Sequence, residues 1–270
     1  MNSASQAYAR STTELCRTDE SGVLLLMLDS NAVRHASDGM LSASTLQWLR
    51  ELAQQAQQAG WLMLTFSHHN LLDHTVTAAE DVVSDADEVK SLFQQFGIKT
   101  HISGHRHTGH IKTETDGESS LTEIVLPMPI AWPNTYGQIA ISTEAVLQYT
   151  QQSIDVAAWA QDQGSSNPDL LDFYAYSYAA QRAVNQNTLD STLKDVELTE
   201  EQRASMEDLF QQTMLSYRQG QLDQVRAEPL QHPGYQTWQT SGPDTIWKRW
   251  IQALLSDESQ SSGDHVRVAY

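Results

Sequence analysis

The chain reads as an α/β protein followed by a smaller helical part. Three observations predict this class. Short apolar runs alternate with amphipathic helical stretches over residues 23–103, an order that implies parallel strands joined by crossover helices. Further strand-like runs follow up to residue 150. After the polar stretch Gln161–Pro168, apolar residues fall at helical spacing instead.

The elements follow in order. Val23–Leu28 is a continuous apolar run ending in Asp29-Ser30-Asn31, and it reads as a buried strand. Leu41–Ala59 carries Leu46, Leu49, Ala53 and Ala56 on one helical face, with Gly60 where a C-cap belongs. Trp61–Phe66 is a second buried strand running into Ser67-His68-His69-Asn70. Asp85-Ala86-Asp87-Glu88 has the form of a capping box with Asp85 as cap; Val89, Leu92, Phe93 and Phe96 follow before Gly97. Ile98–Ser103 is a short strand leading into Gly104.

Later strands are expected at Leu121–Leu126, Gly137–Ser142 and Val146–Thr150, with Pro127, Pro129 and Pro133 marking an irregular loop. Helices are expected over Asp169–Asn185, after the capping box Thr199-Glu200-Glu201-Gln202, and over Ile246–Leu255, with a loose polar tail at Ser256–Asp264. In the first of these helices Leu171, Tyr174 and Tyr178 share a side. The expected organisation is 1–152 for the α/β part, 153–168 for a linker or helix, and 169–270 for the helical extension.

Composition narrows the function classes. Acidic residues number 34 against 16 basic, a net charge of −18. That field disfavours nucleic-acid binding through the bulk surface. Cys16 is the only cysteine, so neither an intramolecular disulfide nor a thiolate zinc site is expected. No apolar run reaches membrane-spanning length. Met1–Thr12 lacks the basic and hydrophobic regions of a signal peptide. The chain as it stands reads as cytoplasmic, with an extracytoplasmic parent left open.

The chemistry lies in the histidines. His68 follows one expected strand, and His105 and His107 follow another. Neutral imidazole is a common transition-metal ligand, and open α/β sheets place sites at the carboxyl ends of their strands. Three imidazoles from two loops can therefore converge on a metal. Gly104 would let the backbone leave the strand in a conformation closed to other residues. His74, on the same loop as His68, is a candidate to contact substrate or protonate a leaving group. His69, Asn70, Gly104 and His110 are expected to stand just behind the ligands. His101 reads as structural, and Asp29 as a loop or capping residue. His35, His232 and His265 receive no role. No glutamate has a sequence context that marks it as a general base.

At these residues the chain resembles the calcineurin-like metallophosphoesterases. Phe66-Ser67-His68-His69-Asn70 is similar to the fourth ligand block of that family, and Gly104-His105-Arg106-His107 matches the fifth at every fixed position. The resemblance assigns metal ligation to His68, His105 and His107, with His68 rather than His69 as the ligand of its pair. Tyr136-Gly137 and the strand after it look like closing strands of the family's β-sandwich. The segment from Ile154 onward is similar to the helical extension of a bacterial phosphodiesterase subgroup. The implied fold is part of a four-layer αββα sandwich followed by a small helical domain.

The implied activity is hydrolysis of small-molecule phosphate esters at a site holding two divalent ions: manganese, iron or zinc. The family's Asp-x-His and Gly-Asn-His blocks are absent from this chain, and its one Gly-Asp is Gly263-Asp264 near the end. The chain is therefore expected to be N-terminally truncated relative to the family and to hold only the late histidine ligands. The other reading is an inactive remnant or a mononuclear metal-binding module. Loss of the early strands would leave Val23–Leu28 and Trp61–Phe66 on an open edge or face, predicting self-association.

Overall fold

The structure, a computed structural model, describes residues 22–31, 39–74, 82–256, 261 and 263–270. Cys16, His35, the segment 1–19 and residues 75–77 of the His74 loop lie outside the described residues.

The α/β part forms as expected. Strand β1 (Val23–Met27), helix α1 (Ala43–Ala59), strand β2 (Leu62–Phe66), helix α2 (Ala86–Phe96) and strand β3 (Thr100–Ser103) follow one another. β1 pairs with β2 and β2 with β3, all parallel. Gly60 and Gly97 end the two helices with φ of 68° and 71°, the left-handed conformation that glycine adopts without a Cβ penalty. The expected capping box on α2 is not made. The Asp85 side chain caps no helical N–H; its Oδ1 accepts instead from the Leu41 backbone N–H at 3.3 Å, tying α2 to the entry of α1.

Strand β4 (His110–Asp116) was not legible in the pattern. It forms an antiparallel hairpin with β5 (Ser119–Val125), and β5 pairs parallel with β3. The sheet order is β1-β2-β3-β5-β4. β4 lies at the sheet edge and buries only its first two residues, so Ile111 is its sole apolar core residue. A second sheet has the order β6 (Thr135–Ile141), β7 (Val146–Ser153), β8 (His265–Ala269). β8 lies within the segment read as helical extension. Its alternating His-Val-Arg-Val-Ala is short and follows a polar stretch, and antiparallel pairing with β7 is what orders it as a strand.

One face of the large sheet packs Leu24, Leu26 and Met63 against Leu49, Ala53, Val89 and Phe93 of the helices. The other packs Leu62, Leu64, Ile102 and Ile124 against Leu147, Tyr149 and Val268 of the second sheet. Each fully buried leucine contributes roughly 1.5–3 kcal/mol. The result is helices, sheet and sheet in layers, the expected partial sandwich. β2 lies inside the sheet rather than at an edge, which corrects the expectation for Trp61–Phe66; among the described residues β1 is the edge.

The helical part contains α3 (Val156–Asp162), α4 (Pro168–Leu171), α5 (Phe173–Thr192), α6 (Glu200–Gln219), α7 (Leu222–Val225), α8 (Ala227–Gln231), α9 (Pro233–Thr240) and α10 (Ile246–Ser256). The Thr199–Gln202 capping box opens α6 in both its bonds. A separate core gathers Met206, Leu209, Phe210, Trp238, Ile251 and Leu254. The buried face of α5 is mostly polar: Ser177, Gln181 and Asn185 precede Leu189. Asn185 donates to Gln211 Oε1 at 3.0 Å, while Tyr174 and Tyr178 turn outward to the Trp132 ring of the α/β part. Among the described residues no helix is long and apolar enough to cross a membrane.

Candidate metal centre

The two histidine loops leave the carboxyl ends of adjacent parallel strands, β2 and β3. Backbone bonds hold them side by side: Ser67 N–H donates to Ile102 O at 3.0 Å, and Gly104 N–H to His68 O at 3.0 Å. The conformation closed to other residues that is expected at Gly104 is not taken there, and the positive φ angles fall at its neighbours. His105 and His107 take the left-handed conformation, with φ of 61° and 58°, each at a cost of about 1–3 kcal/mol for a residue with a side chain.

This loop geometry brings His68, His69 and His105 together, each with a ring nitrogen within 4.8 Å of the others. His68 Nε2 lies 2.9 Å from His105 Nδ1. The three ring centroids are 4.7–4.9 Å apart. Burial, with the neighbouring His105 and His107, pushes the His68 pKa below its ordinary value. That keeps the imidazole in the neutral form a metal requires. Three imidazoles clustered in this way fit one divalent transition ion with an open position. Among the described residues no carboxylate belongs to the group.

His69 is therefore in the cluster rather than merely behind it. Its Nδ1 sits 2.9 Å from the buried Ser30 hydroxyl, so Nε2 is the nitrogen a ligand role would use. Gly39 packs on the ring; a Cβ there would stand 2.4 Å from His69 Nδ1. No sequence signal ties Ser30 or Gly39 to the motif, because both act from a different segment. His107 lies outside the three-histidine group. It is largely solvent-exposed; partial desolvation of its ring, then the Arg218 charge and His105, lower its pKa.

His74 and His110 belong to a second, buried assembly, where their Nδ1 atoms are 2.8 Å apart. His74 Nε2 lies 3.2 Å from Glu123 Oε2, with both side chains buried. Glu123 also accepts from Leu71 N–H, Leu72 N–H and the Ser103 hydroxyl. Burial alone would raise its pKa, but the His74 hydrogen bond and charge, His101 and Ser103 outweigh burial and hold it low. His101 spans the Thr65 and Ser67 hydroxyls at 2.8 and 2.9 Å. Burial lowers its pKa to about 4. Burial, then His74, Lys112, Arg106 and Arg226, lower that of His110 to about 3. Asn70 donates to Ser103 Oγ at 3.3 Å.

This assembly anchors the His68–Leu72 turn to β3 and β5. Sequence reading passed over Glu123. The available signal was a lone acidic residue inside the apolar run Leu121–Val125, a position that requires satisfied partners. His74 is 1% exposed and stands in that buried assembly beside Glu123 and His110.

Comparison with known proteins adds to this geometry. Residues 155–261 match the family model for the C-terminal domain of cyclic nucleotide phosphodiesterase. Among solved structures, one likeness is to a dimetal phosphatase from Danio rerio, at TM-score 0.37 and 19% identity. It covers 43% of this chain and 36% of that one, so the chain spans about a third of that phosphatase's length. A search of curated proteins gave no match. The chain's helical part is the segment that matches the phosphodiesterase C-terminal domain.

Proposed function

We propose that the chain carries part of the site of a metal-dependent phosphoesterase. The observation that supports this most is the convergence of His68, His69 and His105 at the ends of two adjacent parallel strands. The phosphodiesterase-type C-terminal segment supports the same reading. A divalent ion held there would supply Lewis acidity toward a phosphate oxygen and activation of water. The chain's own contribution is to orient the ligands: Ser30 and Gly39 fix the His69 ring, and Glu123 fixes the turn that carries His68. In the complete dinuclear site of the family, further ligands would come from the early blocks this chain lacks. Manganese, iron and zinc all suit imidazole donors.

A second reading, a mononuclear metal-binding module without catalysis, is favoured by the absence of a carboxylate from the cluster among the described residues. One experiment separates the two. Metal content is measured beside hydrolysis of bis-p-nitrophenyl phosphate in wild type, His68→Ala and His105→Ala. Metal binding and turnover lost together in both variants supports the phosphoesterase. Binding without turnover in the wild type supports the module. Unchanged metal content in both variants removes the site assignment.

A further inference from the structure

The end of α6 is clamped onto the second histidine loop. The Thr108 hydroxyl donates to Tyr217 O. A Cβ at Gly220 would stand 1.8 Å from Gly109 O, so the backbones touch. Arg106 lies 5.0 Å over the Trp250 ring of α10, which meets the Tyr217 ring edge-on. The helical part therefore holds the loop that carries His105 and His107.

Arg218 emerges from this clamp. Its Nη1 makes one long contact, 3.5 Å, to the His107 carbonyl. In a chain with 34 acidic and 16 basic residues, a cation is expected to find a carboxylate. Among the described residues Arg218 makes no ion pair, and its Nε has no acceptor. A cation in the last turn of a helix often serves the helix end itself. Here that end is already closed: Gly220 N–H and Gln221 N–H take the Tyr217 and Ser216 carbonyls. A guanidinium left with spare donors beside a metal loop is suited to an oxyanion, which its fork can bind through two parallel bonds.

We propose that Arg218, delivered by the helical part, binds the phosphate group of the substrate at the edge of the histidine site. This rests on the phosphoesterase reading. Phosphate recognition would then be shared between the two parts of the chain, the α/β part holding the ion and the helical part supplying the charge.

The test is calorimetric titration of inorganic phosphate into the full chain, zinc-loaded and chelator-stripped. Zinc stoichiometry and thermal melting are recorded on the same samples. Arg218→Gln is expected to weaken phosphate binding about tenfold with zinc stoichiometry unchanged. Arg218→Lys should recover part of the affinity and its salt dependence, which a purely structural side chain would not do. Equal affinity in wild type and Arg218→Gln overturns the proposal, as does absence of phosphate binding in both wild-type forms. If zinc does not bind but stripped protein binds phosphate through Arg218, the anion site stands and the metal site falls. If zinc binds and phosphate ignores Arg218, the reverse holds.

Discussion

Among the described residues, two groups of histidines differ in one component. At the strand ends, His68, His69 and His105 face one another, and among the described residues no carboxylate joins them. Beneath, His74, His101 and His110 are arranged around Glu123 and the hydroxyls of Thr65, Ser67 and Ser103. A buried imidazole whose nitrogens are taken by protein groups is a structural element. Imidazoles whose ring nitrogens crowd within 4.8 Å of one another are a candidate metal site. Residue type is identical in the two groups; the surrounding acceptors separate their roles.

The largest effect is expected from removing the component that distinguishes them. Glu123→Ala strands the Leu71 and Leu72 N–H groups, the Ser103 hydroxyl and His74 inside the protein. It should cost about 3–5 kcal/mol, read by urea denaturation. Glu123→Gln, which keeps part of the acceptor capacity, should cost less. A loss below about 1 kcal/mol for the alanine variant would mean that the carboxylate does not organise the buried group.

Acid should attack the same group. His101 is neutral in the fold, with burial lowering its pKa to about 4, and His110 is lowered to about 3. In the unfolded chain both titrate near 6.5. The unfolded state thus binds more protons below 6.5, so stability is fully present above that pH and drains as pH falls. His101 alone accounts for a loss of about 3 kcal/mol by pH 4. His110 continues the decline toward pH 3. Glu123, held below the ordinary carboxylate range, acts in the same direction at the acid end. Urea midpoints measured from pH 7.5 down to 4 check this. A flat profile there would break the assignment of His101 as a buried neutral residue.

Most of the scaffold was legible because it is local. Continuous apolar runs identify the strands, although only β2 and β3 are buried on both faces, while β1 buries Leu24 and Leu26 and leaves Met27 exposed; Gly60 and Gly97 mark helix ends. The Gly104–His107 block is legible for the same reason, and it lies on one of the two loops that carry the histidine cluster. What escaped depends on contacts distant in sequence. β4 and β8 are ordered by pairing rather than by apolar content. Asp85 has the spelling of a cap, yet its side chain reaches Leu41, 44 residues away. The groups that donate to Glu123 come from 20 to 52 residues away. A motif also cannot tell His69 from His107 as a cluster member, since that depends on Ser30, Gly39 and two left-handed residues.

Smaller effects sharpen the strand-end group. Gly39→Ala places a methyl against the His69 ring and should cost about 1–3 kcal/mol in stability, with weaker zinc binding. Ser30→Ala removes the hydroxyl on His69 Nδ1 and should weaken zinc about tenfold while barely changing the melting temperature. If zinc affinity is indifferent to both, His69 is not a ligand and the cluster shrinks to His68 and His105.

The smallest expected effect is the most discriminating. His107 matches the motif as well as His105 does, but it lies outside the three-histidine group. His107→Ala should therefore leave zinc stoichiometry unchanged, whereas His69→Ala should abolish tight binding. The physical reason is in the loop: two left-handed residues, His105 and His107, turn the chain twice within three positions, and the group that forms takes His105 with His69. Replacing His107 also removes a neighbour that lowers the His68 pKa, so any change in affinity near neutral pH should be slight. Two ions per wild-type chain, with one lost in His107→Ala, would restore His107 as a ligand. The line between site and scaffold would then have to be drawn one residue further along the loop.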